Sequence, residues 1–160
     1  MPSPHERPSL ALDSLDRRII DELQHDGRRP YTEIARTLGV SEATVRKRVA
    51  RLMRTGGFQI VASVDAHVFG YVKAEVGLRV RGPSLYKVTE RLNSVPEVNY
   101  VELLLGPYDM LISLTCRDNQ HLLAVLNDVV RTIPGVEIAE ASTVLEVTKD
   151  IYYWSAELQE

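Results

Sequence analysis

The sequence predicts an α+β chain in two parts: three helices, then a strand-helix-strand-strand-helix-strand array. Three observations predict it. Apolar residues recur at helical spacing in three stretches between Leu15 and Leu52. From Val72 the spacing changes to alternation, the period of a half-buried strand. Clusters of Gly, Pro, Asn and Asp fall between these stretches, where turns belong.

Composition agrees. Of 160 residues 44% are hydrophobic, and 19 Lys+Arg stand against 22 Asp+Glu for a net charge of −3. This balance suits a folded globular protein, and the length allows one domain or two small ones. The longest apolar run, Leu122–Leu126, has five residues, whereas a membrane helix needs about 20, so no membrane partner is expected. The start of the chain lacks the basic and apolar regions of a signal peptide. Cys116 is the single cysteine, which excludes an internal disulfide and a cysteine zinc site. Both features predict a cytoplasmic protein.

Residues 1–8 carry three prolines and no periodicity, and an arm is expected over 1–11. Asp13 is placed to cap a helix whose inward residues are Leu15, Ile19, Ile20 and Leu23, with Asp16 adding charge to the first turn. Gly27 is expected to end that helix in the left-handed conformation. A second helix spans about Tyr31 to Leu38, with Ile34, Ala35 and Leu38 inward and Gly39 as the turn residue. Val40 points back into the core. Ser41 caps a third helix, about Glu42 to Thr55, with Val45, Val49 and Leu52 buried. At about 100° per residue, its other side carries Ala43, Thr44, Lys47, Ala50, Arg51 and Arg54, with Arg46 and Arg48 beside the seam. Gly56-Gly57 stops the helix, and Phe58–Val64 reads as a strand.

Residues 65–71 read as a linker, and a second domain is expected over 72–160. Val72–Arg81 alternates cleanly. Ser84–Asn93 is a helix, Val98–Leu105 and Met110–Cys116 form a hairpin, and Asn119–Ile133 is a helix capped by Asp118. Val136–Thr148 is a final long strand, and Ile151–Trp154 could add an edge strand. This is the ferredoxin-like βαββαβ order. Val101, Leu103, Leu105, Ile112 and Leu114 suggest apolar side chains on both sheet faces, so a second copy of the chain is expected to cover the open face.

The charge is divided. Residues 1–64 hold 11 Lys+Arg and 8 Asp+Glu (+3), and residues 65–160 hold 8 and 14 (−6). Within Glu42–Gly56 five bases face one acid. A basic element on an acidic chain suggests a polyanion partner met by one surface, although basic helix faces are also common on solvated surfaces. Spacing favours the first reading. Ala35 is small where two helices would cross, Gly39 tolerates positive φ, and Val45 anchors the second helix. That is helix-turn-helix spacing over residues 12–64, and such a helix can enter the major groove, about 12 Å wide. The alternative is a unit used only for packing.

On that geometry Ala43, Thr44 and Lys47 are the base-reading candidates, and Arg48, Arg51 and Arg54 the phosphate contacts. Lys47→Ala should then alter sequence preference, and Arg51→Ala should weaken all duplexes alike and lower the salt slope by about 1. Ser41 caps and could touch a phosphate. Arg28 and Arg29 could reach the DNA backbone or stand as surface charges. Glu42 suits a helix N-terminus but not a phosphate, so a cytosine amino group is its better partner. In the second domain, Asp109 at the hairpin turn could accept a ligand ammonium, or simply stabilise the turn. Gly106 permits close backbone approach, Tyr108 can wall a pocket, and Ser142 and Thr143 could hold a ligand carboxylate. His5, His25, His67 and His121 lack metal-ligand spacing. No catalytic, cofactor or metal constellation stands out.

Leu12-Asp13, Leu15-Asp16-Arg17-Arg18-Ile19-Ile20, Asp26-Gly27-Arg28, Thr32-Glu33-Ile34-Ala35, Leu38-Gly39-Val40-Ser41, Val45, Arg48-Val49, Leu52 and Gly56 occur in the order seen in the Lrp/AsnC (feast/famine) transcription regulators, and Gly106-Pro107-Tyr108-Asp109 matches that family's Gly-x-Tyr-Asp turn. The chain resembles that family over roughly residues 12–155. The resemblance implies a winged helix-turn-helix domain binding double-stranded promoter DNA. It also implies a C-terminal domain forming homodimers that assemble into octamers, and an amino-acid effector held near the Gly-x-Tyr-Asp turn. Two positions depart from the pattern. Glu42 stands where the family often has proline, and Gly57 where it has an apolar residue, so the wing should be looser. Sirohaem decarboxylases resemble the same architecture, but they want histidines and basic residues around a cofactor cleft. Here the second part is acidic and holds only His67 and His121. A chromatin-like architectural protein without an effector is the third alternative.

Overall fold

A computed structural model describes residues 11–149. The arm, apart from residue 11, and the edge strand expected over Ile151–Trp154 lie outside the described residues. The chain divides into two compact units, one ending at Ser63 and one spanning Val64–Lys149.

The first unit holds α1 (Ser14–His25), α2 (Tyr31–Leu38) and α3 (Glu42–Arg54). Asp13 caps α1 in a reciprocal capping box with Asp16: each side chain accepts the other residue's backbone N–H. Gly39 stands at φ 69° after α2, which lets the chain turn into α3. Ile19, Leu23, Ile34, Ala35, Val45 and Val49 form the core, with Leu15, Tyr31, Leu38, Val40 and Phe58 packed around it.

Two expectations fail here. Gly27 is not left-handed: α1 ends on extended Asp26, whose side chain and carbonyl accept from Arg28 N and Arg29 N at 2.9 and 3.0 Å. This Asx-type turn reverses the chain without a positive φ. Residues 58–64 make no strand pairing among the described residues, because the one sheet is built elsewhere. β-rich composition cannot form a strand without a neighbouring edge.

The second unit begins with a short 3₁₀ helix, Ala66–Phe69, inside the expected linker and capped by Asp65. It continues as β1 (Val72–Val80), α4 (Leu85–Leu92), β2 (Val98–Leu103), β3 (Met110–Cys116), α5 (Asn119–Ala124) and β4 (Val136–Val144). The strands lie in the order β2-β3-β1-β4, every pair antiparallel, the βαββαβ arrangement expected. Ala74, Val76 and Leu78 of β1 and Met110, Ile112 and Leu114 of β3 form one core with Val88, Leu92, Leu122, Val125, Leu126 and Val130 of the helical layer.

The ends and faces correct the sequence reading. The second long helix is α-helical only to Ala124. It continues as a π turn over Val125–Val129 and a 3₁₀ turn over Val130–Thr132. β-branched residues crowd this stretch, and Thr132 Oγ1 donates to the Val129 carbonyl at 2.7 Å. β2 stops at Leu103 because Leu104 N turns to the Asp109 carbonyl at 3.0 Å. β4 stops at Val144 because its partner β1 begins there: Lys73 faces Val144. Nor are both sheet faces apolar. Val101, Ile112 and Leu114 all join the helix-side core. The register puts Glu75 opposite Ser113 and Ser142, so the open face carries polar groups from three strands beside Gly77 and Leu111.

Candidate nucleic-acid interface and the second-domain turn

α3 presents Ala43, Lys47, Ala50 and Arg54 along one exposed stripe. Its N-terminus is fixed locally. Ser41 Oγ accepts from Thr44 N at 3.2 Å and lies 2.9 Å from Thr44 Oγ1. Glu42 pairs with Arg46 at 2.5 Å, and the Arg46 guanidinium sits 5.5 Å from the centre of the Tyr31 ring, joining α3 to α2. Ala43, Lys47 and Ala50 line an open depression with Glu42 and Arg46. Small side chains beside a lysine leave room for a base edge and offer a donor to it. Among the described residues Lys47 and Arg54 have no ion-pair partner.

Arg48 and Arg51 are placed differently. Asp16 of α1 is fully buried, and it is the only charged or polar residue so buried among the described residues. Its carboxylate accepts from Arg48 Nη1 at 3.1 Å, from Arg51 Nη2, and from the backbone of Asp13 at 3.2 Å. Arg48 also bonds the Asp13 carboxylate. These bonds and the adjacent charge hold the Asp13 carboxyl below its ordinary range and raise the Arg48 guanidinium above its own. Both arginines therefore tie α3 to α1, which replaces the phosphate-facing position expected for them. Arg29 is likewise taken up, by Glu22, Glu33 and Thr37. A signal for the buried acid was present. Asp16, Ile19, Ile20 and Leu23 are spaced as i, i+3, i+4 and i+7, so Asp16 sits on the apolar stripe of α1.

In the second unit the residues 106–109 are anchored to β1. Asp109 Oδ2 accepts from Val80 N at 2.7 Å, Asp109 N donates to the Leu78 carbonyl at 2.9 Å, and Arg79 Nε donates to the Pro107 carbonyl at 3.3 Å. The Tyr108 ring lies on Gly77, where a Cβ would come within 2.8 Å of ring carbons. Its hydroxyl donates to the Glu140 carboxylate, which raises the phenol above its ordinary range. Ser142 Oγ is 3.4 Å from Glu140, so Ser142 belongs to the neighbourhood of Tyr108, while the Asp109 carboxylate is turned to Val80. Thr143 does not belong there. It pairs with Ala74, whose side chain is in the helix-side core, and adjacent strand residues face opposite ways. Gly77 and Glu140, absent from the sequence-derived candidates, complete the turn's seat. Among the described residues no group of three His, Cys, Asp or Glu could hold a metal, and no helix is long and apolar enough to cross a membrane. His121 pairs with Glu97 at 3.2 Å.

Comparison with known proteins agrees with this division. The AsnC-type helix-turn-helix domain matches residues 12–53, and the Lrp/AsnC ligand binding domain matches residues 73–153. An uncharacterized HTH-type transcriptional regulator of Pyrococcus abyssi is 34% identical over 147 residues, 91% of this chain and 92% of that one. The regulator FL11 of the same organism is 32% identical over 143 residues, covering 88% and 94% of the two chains. The solved structure of E. coli AsnC superposes with a TM-score of 0.73 at 28% identity, over 88% of this chain and 97% of that one.

Proposed function

The chain belongs to the Lrp/AsnC family of transcriptional regulators, and on that premise we propose that it selects promoter duplexes by sequence and adjusts its grip to an amino acid held by the second domain. The observation that carries the reading is the exposed Ala43-Lys47-Ala50-Arg54 stripe on a helix capped at Ser41. A single helix fits the major groove N-terminus first. Ala43, Thr44 and Lys47 then meet base edges, and Arg54 meets a phosphate. Ser41 and Glu42 sit at the helix entrance.

The effector half of the proposal rests on the ligand-binding-domain match and on the seated turn. Asp109 keeps its backbone bonds while its carboxylate faces a ligand ammonium. Gly106 and Tyr108 lie in the same turn, and Ser142 borders Tyr108. Homodimers assembling further, as far as octamers, belong to the same reading. Its support is exposed apolar surface: Val61, Val64, Val68 and Phe69 are 64–77% exposed. A monomer by light scattering at micromolar concentration would contradict it. A cytoplasmic location completes the proposal.

The test is binding to the region upstream of this protein's own gene, at fixed salt with excess competitor DNA, with and without the twenty amino acids. Selective binding that shifts with the mixture supports both halves. Selective binding without a shift removes the effector. Absence of selectivity at every salt concentration removes the regulator.

A further inference from the structure

The cations of α3 are unequal. Five bases lie between Glu42 and Gly56, yet Arg46 is paired to Glu42, and Arg48 and Arg51 converge on acids of α1. The Asp13, Asp16, Arg48 and Arg51 side chains form a cluster of two carboxylates and two guanidiniums, so its formal charge is zero. Asp16 is wholly buried and accepts from three donors. Arg51 Nε is buried with no hydrogen-bond partner, so its head is committed to the clamp at some cost.

We propose that Asp13 and Asp16 act as a specificity device, an intramolecular substitute for phosphate that withholds Arg48 and Arg51 from the DNA backbone. The inference rests on the DNA-binding reading and deepens it. Phosphate contacts strengthen binding to every duplex equally and carry no sequence information. A helix offering all its cations would hold non-specific DNA tightly. With two arginines neutralised internally, Lys47 and Arg54 remain, and base contacts form a larger share of the total. Asp13 and Asp16 touch no DNA in this account. They are positioning residues, acting through the arginines.

The exposed member gives the cleanest test. Asn is as good an N-cap as Asp, so Asp13→Asn keeps the cap of α1 and leaves the cluster at +1. Binding of the full chain to a random-sequence duplex is measured by fluorescence anisotropy between 50 and 200 mM salt, with melting curves confirming the fold. Arg48 keeps its bond to Asp16 but loses the Asp13 carboxylate, and its uncompensated charge, meeting one phosphate, adds about 0.9 to the salt slope. Over this fourfold salt range that is about a 3.5-fold additional change in affinity. Asp13→Asn should bind random duplex more tightly at low salt with that steeper slope. Arg48→Gln leaves the cluster at −1 but removes no phosphate contact, so it should leave the slope unchanged, whereas Arg54→Gln, which removes the same charge, should lower the slope by about 0.9.

An Arg48→Gln slope that falls as far as that of Arg54→Gln overturns the proposal, because Arg48 would already lie on phosphate. So does a folded Asp13→Asn protein with parental affinity and slope. Should the folded parent bind no duplex even at 50 mM salt, the regulator reading falls as well, which separates the two failures.

Discussion

Replacing Arg51 by Ala separates the two accounts of α3 most sharply. The helical wheel puts Arg51 outward, where its loss should lower the salt slope by about 1 and leave stability alone. In the structure its Nη2 bonds the carboxylate of fully buried Asp16. Removing one partner of a buried pair costs about 3–5 kcal/mol, and a single hydrogen bond to a charged group about 1.5–3 kcal/mol. Asp16 keeps Arg48 and the Asp13 N–H, and the Arg51 side chain is 37% exposed, so the smaller range applies, about 2 kcal/mol. For a domain of this size, 1 kcal/mol moves Tm by about 4–8 °C. The helix-turn-helix transition should therefore fall by about 8–16 °C, read by calorimetry of the full chain. Combined with Asp16→Asn, the losses should be less than additive, since both remove the same bond. An unchanged transition together with a shallower salt slope would refute the reasoning.

Three further outcomes follow from the same contacts. Lys47→Ala should flatten the ranking of binding sites in a selection from randomised duplexes while the fold stays intact; an unchanged ranking would remove Lys47 as a base reader. Gly77→Ala places a Cβ 2.8 Å from the Tyr108 ring, so the ring must lift from β1 and lose Glu140. The Tyr108 phenol should then titrate lower, nearer its ordinary value, by ultraviolet difference spectra against Tyr108→Phe; an unmoved titration would show that the ring stays seated. The Asp13 carboxyl is lowered by Arg48. Its stabilisation is therefore full above the unfolded carboxylate pKa, near 3.9, and is lost as pH falls through the lower folded value. Melting curves between pH 5 and 2 should be flatter for Asp13→Asn than for the parent, and parallel curves would deny the linkage.

Much of the architecture was legible because it is local. Asp13, Ser41 and Asp118 are caps whose partners lie within three residues, and all three cap as expected, while Ser84, read as the first helical residue, proves to be a fourth cap. Alternation along β1 identified its buried side, since strand period is set by the backbone itself, whereas the apolar residues Val101, Ile112 and Leu114 of β2 and β3 were read as covering both faces when they share one. Chain positions also identified the turn at 106–109 and the exposed stripe of α3. Where strands end was not legible, because β4 stops where β1 has no more residues to pair. The unpaired segment 58–64 shows the same limit: propensity proposes a strand, and only an available edge completes it.

The residues of the candidate sites divide on the same physics. Which side chains α3 exposes follows from its period of 3.6 and its buried Val45, Val49 and Leu52, so Ala43, Lys47 and Arg54 were readable from the sequence. The employment of Arg48 and Arg51 was not, because their partner Asp16 is 32 and 35 residues away. A long arginine side chain can reach back from a nominally outward position. Glu140 was beyond reach in the same way, 32 residues from the hydroxyl it accepts. The sequence by itself determined the elements, their caps and the two-part order, since those depend on neighbours along the chain. The tertiary structure alone decided which charges remain free for a partner, since a charge is neutralised by whatever lies next to it in space.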